Sequence, residues 1–179
     1  MKALLIIDVQ NDFIKGGTLA VPDAELVIPV INDLMQKFKL VLATQDWHPK
    51  ETAHFEEWPV HCVAGSKGAD FPSDFHKEKI SQIFYKGTGN RDDGYSGFEA
   101  TNIELVDYLN KNGISQLYIC GIALEFCVKS SALDALKEGF QVFLIRDAIA
   151  NFSREQEKIE QEYEELQNAG AKIVLSHQV

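Results

Sequence analysis

The sequence predicts an α/β fold, a single-domain three-layer sandwich in which a mostly parallel sheet is covered by helices on both faces. Three observations lead there. Short apolar runs alternate with longer amphipathic ones in a regular way along the chain, the pattern of βαβ units. The short runs are apolar on both faces, as strands buried on both sides must be. The 179 residues are one domain's worth of chain, so residues 1–179 are expected to form one domain. Neither an internal repeat nor a low-complexity segment interrupts the pattern.

Taken in order, residues 4–7 are a continuous apolar strand. Asp23 can cap a following helix with Leu26, Val30, Leu34 and Phe38 on one stripe, its start shifted toward Ile28 because Pro29 lacks a backbone donor. Residues 40–43 supply the second strand. The long stretch 48–91, which holds Pro49, Pro59 and Pro72, reads as irregular loops with one strand at 83–85. Thr101 with Glu104 has the spacing of a capping box before a helix bearing Leu105 and Leu109, and Gly113 offers a left-handed stop. Residues 117–120 form the next strand. A helix over 127–138 carries Val128, Ala132, Ala135 and Leu136 and stops at Gly139. A strand follows at 142–145. Ser153 with Gln156 suggests a second capping box, opening a charged helix that runs to Ala169 before Gly170. Residues 172–175 close the sheet.

Composition narrows the function. The chain has 17 Lys plus Arg against 27 Asp plus Glu, a net charge of -10. That opposes a nucleic-acid or anionic-membrane role, because such binding draws on Lys and Arg meeting phosphates. A small or neutral partner is expected. The first apolar run stops at Asp8, too short for a signal-peptide core or a membrane span, so a cytoplasmic location is expected. The three cysteines are odd in number and lack CxxC spacing, which suggests neither a disulfide framework nor a thiolate metal site. The assembly is left open, a homo-oligomer included.

In open α/β sheets ligands bind outside the carboxyl ends of the strands, and several polar residues fall there. Asp8 ends the first strand, Asp46 and His48 follow the second, Lys86 follows the trio Ile83, Phe84 and Tyr85, and Cys127 opens a helix. A helix N-terminus stabilises a thiolate, and the turn before it can offer backbone N–H groups to an oxyanion. Taken alone, a cysteine is more often a small buried hydrophobe, which suits Cys120 and Cys62. Asp8 is a candidate base for the Cys127 proton or simply a turn cap. Lys86 could hold Asp8 ionised, although most strand-end lysines snorkel to water.

A second constellation is Asp46, His48, His54 and His61, with three of the five histidines inside one loop. Imidazole mixed with carboxylate suits a divalent metal, Zn, Fe, Mn or Co. Surface histidines without a ligand are the competing reading, and His76 and His177 fall to it. Phe13 and Trp58 could sandwich a flat ring or be core. The glycines match neither a dinucleotide fingerprint nor a P-loop.

Together the segments 8–13 with Gly16 and Gly17, 46–49, 58–65, 85–87, 95–98, 121–123 and Cys127 with Val128 resemble the isochorismatase-like cysteine hydrolases, in particular the nicotinamidase group, which also acts on pyrazinamide. The resemblance runs over nearly the whole chain. It implies a catalytic triad of Asp8, Lys86 and Cys127, a metal held by Asp46, His48 and His61 with His54 as a fourth ligand, and a cis peptide at Ile122–Ala123 that lets Ala123 serve the oxyanion. Phe13 and Trp58 would line the ring pocket. The implied reaction is hydrolysis of nicotinamide to nicotinate and ammonia through a cysteine thioester. The chain departs from the group at Leu124, Glu125 and Phe126, where Thr-Asp is common. Rival readings are a cysteine amidohydrolase for ureido or carbamoyl amides, a non-catalytic binding or scaffold protein on the same fold, and an enolpyruvyl-ether hydrolase, which needs no thiol.

Overall fold

The computed structural model describes residues 1–179. Six strands form one sheet: β1 (Lys2–Ile7), β2 (Val41–Asp46), β3 (Gln82–Lys86), β4 (Gln116–Gly121), β5 (Gln141–Ile149) and β6 (Lys172–Val174). Their order is β3-β2-β1-β4-β5-β6 and every pairing is parallel, so the sheet is wholly rather than mostly parallel. Residues 3–7 and all of β2 are buried, which requires cover on both faces. Each of Leu4, Leu5, Ile6 and Ile7 is fully buried and contributes about 1.5–3 kcal/mol by leaving water.

Five helices connect the strands: α1 (Val27–Met35), α2 (His54–Glu57), α3 (Leu105–Lys111), α4 (Lys129–Lys137) and α5 (Gln156–Asn168). A 3-10 turn over Ala24–Leu26 precedes α1, which places Pro29 in the first helical turn, where a missing N–H costs nothing. The same turn takes Leu26 off the helix, while Leu34 and Phe38 of the expected stripe are buried. Ile28, Ile31, Leu34 and Met35 face inward, whereas Leu26, expected on the stripe, is 67% exposed. Asp23 adopts a left-handed backbone (φ 56°) and makes no capping bond.

Neither expected capping box forms. The Thr101 N–H donates to the Tyr85 carbonyl and its hydroxyl pairs with Thr88, so Thr101 ties β3 to the loop instead of opening α3. The Ser153 N–H is taken by the Glu125 carboxylate. The box that does form joins Ser96 and Glu99. Gly113 and Gly139 end α3 and α4 in left-handed conformations, as read from sequence. The acidic helix α5 is more than a solvated face: it buries Ile159, Tyr163 and Leu166. Lys129 of α4 pairs with Glu162 and Glu165, and Arg146 of β5 pairs with Glu160. No helix is long and apolar enough to cross a membrane.

Strand order reverses at β1, whose neighbours are β2 on one side and β4 on the other. A sheet of this order opens a crevice there, at the carboxyl ends of the strands.

Candidate active site

Four strand ends deliver the polar groups. Asp46 and Lys86 are register partners at the last position of β2 and β3. Asp8 leaves β1 with φ 48°, and Gly121 pairs with Ile7 at the end of β4. Gly121 has φ 118°, and a Cβ there would fall 2.1 Å from the Ile7 carbonyl oxygen. Only glycine lets β4 come this close before the chain turns toward Cys127. The peptide Ile122–Ala123 is cis. Cys127 lies in a wide π-type turn, Leu124–Val128, one turn before α4, rather than at the start of a regular helix.

The Lys86 ammonium is the hub. It is fully buried, not snorkelled, and lies 2.8 Å from Asp8 Oδ2 and 2.5 Å from Asp46 Oδ1. It also donates to the Gly94 carbonyl at 2.7 Å and to Cys127 Sγ at 3.4 Å. One cation thus faces two carboxylates, and the environments separate them. Burial raises Asp8 to about 6 against the pull of Lys86. Burial also acts upward on Asp46, but Lys86 and His48 outweigh it and hold that carboxyl below the usual range. For Lys86, burial acts downward and the two aspartates overcome it, leaving the ammonium firmly charged. Burial pushes the Cys127 thiol well up, opposed by Lys86 and reinforced by Asp8 and Asp46. The lowering expected from a helix dipole does not prevail, so the resting group is a thiol beside a base. The Asp8 carboxylate is oriented by Thr44, whose hydroxyl donates to Oδ1 at 2.7 Å and accepts the Asp8 N–H at 3.2 Å.

The histidines converge as the spacing suggested. One ring nitrogen each of His48, His54 and His61 lies within 4.8 Å of the others. Every Nδ1 faces a group that only accepts: Gly87 O at 2.9 Å, Asp92 Oδ1 at 2.7 Å and Pro59 O at 2.7 Å respectively. Each Nδ1 therefore carries the proton and each Nε2 keeps its lone pair. The buried His48 Nε2 has no hydrogen-bond partner, and Asp46 Oδ2 stands 3.8 Å from it and 3.9 Å from His61 Nε2. Burial lowers His54 and His61, favouring neutral rings. Three imidazoles aimed at one another with a carboxylate alongside fit a divalent metal. Gly87 belongs to the same device, since a Cβ on it would strike the His48 ring at 2.4 Å.

Both groups open on one cavity, with Phe13, Trp58, Ala123 and Cys127 on its walls. The Ala123 N–H donates to no protein acceptor. Phe126 stands edge-on between Trp58 and Phe152, at 5.2 and 5.6 Å between ring centres. Glu125 accepts the N–H groups of Phe152 and Ser153, both at 2.8 Å. The 124–126 departure thus clips the β5–α5 connection to the cavity mouth. His76 and His177 are exposed and stand apart, and Cys62 and Cys120 are buried.

Sequence reasoning missed Gln10, Thr44, Asp92 and Tyr95. Gln10 is buried, donates to the Asp46 carbonyl at 2.8 Å and accepts the Asp46 N–H at 2.9 Å. Its place two residues past Asp8, inside the 8–13 segment that carries the resemblance, was the available signal. Asp92 lies 38 residues from its partner His54, a separation no spacing rule bridges.

The isochorismatase domain family matches residues 2–178. The chain belongs to this family. Among curated relatives, the nicotinamidase/pyrazinamidase of Mycobacterium tuberculosis is 35% identical over 98% of this chain and 100% of its own. The nicotinamidase of Escherichia coli is 32% identical, covering 96% and 93%. Among solved structures, pyrazinamidase of Pyrococcus horikoshii in complex with zinc superposes with TM-score 0.88 at 42% identity, over 97% of this chain and 98% of that one. The L. infantum PnC1 structure in complex with nicotinate gives TM-score 0.92 at 34% identity, over 99% and 93%.

Proposed function

We propose that this isochorismatase-family protein is a nicotinamidase that also accepts pyrazinamide, hydrolysing the carboxamide C–N bond to a carboxylate and ammonia. The observation that carries the reading is the meeting, in one cavity, of Cys127 with its buried Asp8–Lys86 pair and of three imidazoles that each bring one ring nitrogen within 4.8 Å of the others. The relatives named above act on, or were solved with, compounds of this kind.

The flat ring is held between Phe13 and Trp58, with the amide carbon over Cys127. Asp8, made a stronger base than an ordinary carboxylate by burial, takes the thiol proton as sulfur forms a bond to the amide carbon. Lys86 balances the thiolate. The oxygen of the tetrahedral adduct takes the free Ala123 N–H and the Cys127 N–H. The C–N bond breaks, Asp8 returns its proton to the departing nitrogen, and ammonia leaves a thioester. Water then attacks the thioester, giving a proton to Asp8. The S–C bond breaks, the acid is released, and Cys127 regains its proton. Asp46, His48, His54 and His61 would hold the divalent metal, which when bound supplies a Lewis acid able to fix a ring nitrogen or a water.

The test is direct: incubate the purified protein with nicotinamide and follow nicotinate and ammonia, before and after chelation and metal add-back. Cys127→Ala should abolish turnover while nicotinamide binding remains measurable. Retained turnover ends the assignment. A structural neighbour at 25% identity is an N-carbamoylsarcosine amidase from Thermoplasma acidophilum, so a panel of carbamoyl amides in the same assay decides the rival reading.

A further inference from the structure

Residues 87–95 embrace the segment that holds the imidazoles. Beyond the Gly87 contact to His48, the Gly89 carbonyl accepts from Thr52 Oγ1 at 3.2 Å and Asn90 Oδ1 accepts the Ala53 N–H at 2.9 Å. The end of the loop is the informative part. Trp58 Nε1 donates to the Tyr95 hydroxyl at 2.9 Å, and that hydroxyl donates to Asp92 Oδ1 at 2.7 Å. The same oxygen accepts His54 Nδ1 at 2.7 Å. The indole and imidazole at the two ends of this chain lie 6.4 Å apart and 23° from parallel.

We propose that Asp92 is a positioning residue which, from one carboxylate oxygen, fixes both the His54 ring toward the other imidazoles and, through Tyr95, the Trp58 wall of the ring pocket. This rests on the reading of His54 as a metal ligand. A carboxylate on the far nitrogen of a ligating imidazole sets its orientation and tautomer. The indole N–H needs a partner to stay put, and Tyr95 supplies one only while its own proton has an acceptor. Metal affinity and the placement of the aromatic wall are therefore linked through Asp92. The Tyr95 ring stands edge-on to His54 at 5.8 Å, a contact phenylalanine would keep, whereas its hydroxyl serves the wall.

The chain has two tryptophans, so a Trp47→Phe background makes Trp58 the sole reporter. Zinc affinity is measured by competition with a chromophoric chelator, and Trp58 exposure by acrylamide quenching in zinc-free protein. Asp92→Ala should weaken zinc binding by about 10- to 100-fold and raise the quenching constant about twofold as the indole swings toward water. Tyr95→Phe should raise quenching to the same extent yet leave zinc affinity within about threefold of the parent. Asp92→Asn, whose carbonyl oxygen can still accept both donors, should restore most of both readouts and covers the case in which Asp92→Ala fails to fold. A parent that binds zinc alongside an Asp92→Ala protein that binds it equally well overturns this inference, as does unchanged quenching in Tyr95→Phe. A parent that binds no zinc overturns the metal reading itself.

Discussion

Replacing Lys86 by methionine tests the electrostatics of the site most sharply, because the side chain keeps its volume and loses its charge. Lys86 Nζ lies 2.8 Å from Asp8 Oδ2 in a fully buried setting. With an effective dielectric of about 20, that attraction is about 6 kcal/mol. Its loss raises the proton affinity of Asp8 by a factor of roughly 10⁴, and if water entering the vacated space returns half, a factor of about 10² remains. In the parent, Asp8 ionises as pH rises through about 6, so activity should be complete above that pH and fall below it. In Lys86→Met the base is protonated at neutral pH. The rate of ammonia release from nicotinamide should drop at least about 100-fold near neutrality and recover in part as pH is raised. Circular dichroism confirms that the variant is folded. The reasoning is refuted if the folded variant keeps kcat/KM within about threefold of the parent near neutral pH, or if its acid limb stays where the parent's lies.

Other perturbations give separate readouts. Gly121→Ala sets a Cβ 2.1 Å from the Ile7 carbonyl at φ 118°; thermal unfolding should show a loss of about 3 kcal/mol or more, roughly 6–12 °C in midpoint. Glu125→Ala frees the N–H groups of Phe152 and Ser153; with the mouth unclipped, KM for nicotinamide should rise several-fold with kcat nearly unchanged, and stability should fall by about 1–2 kcal/mol. Removing metal by chelation should lower the melting temperature, with recovery on adding a divalent ion, because metal bound only by the folded chain stabilises it. A melting curve indifferent to both steps argues against the imidazole cluster as a metal site.

The rim of the sheet was legible because position alone defines it. Asp8, Asp46, Lys86 and Cys127 each follow an apolar run, and parallel topology brings such ends together. The histidines were legible as a cluster because they share one loop. Local capping failed for a different reason: Thr101 and Ser153 have the right neighbours in sequence, but tertiary partners, Tyr85 and Glu125, claim their backbone donors. The α1 stripe held at Leu34 and Phe38 and failed at Leu26, which falls in the 3-10 turn ahead of the helix. The direction of the Cys127 shift was illegible for want of burial, which outweighs the helix dipole and depends on the whole fold.

Where the ladder between two strands ends, the backbone amide groups beyond it need other partners. Here Gln10 takes up both backbone groups of Asp46 with its own carboxamide, and Thr44 receives the N–H of Asp8. Two side chains thereby continue the hydrogen-bonded lattice past the point where the main chain has turned away. Past the last paired residues of β1 and β2 the chain is thus held without loose polypeptide, and the floor of the cleft has the stiffness of sheet although no strand runs there.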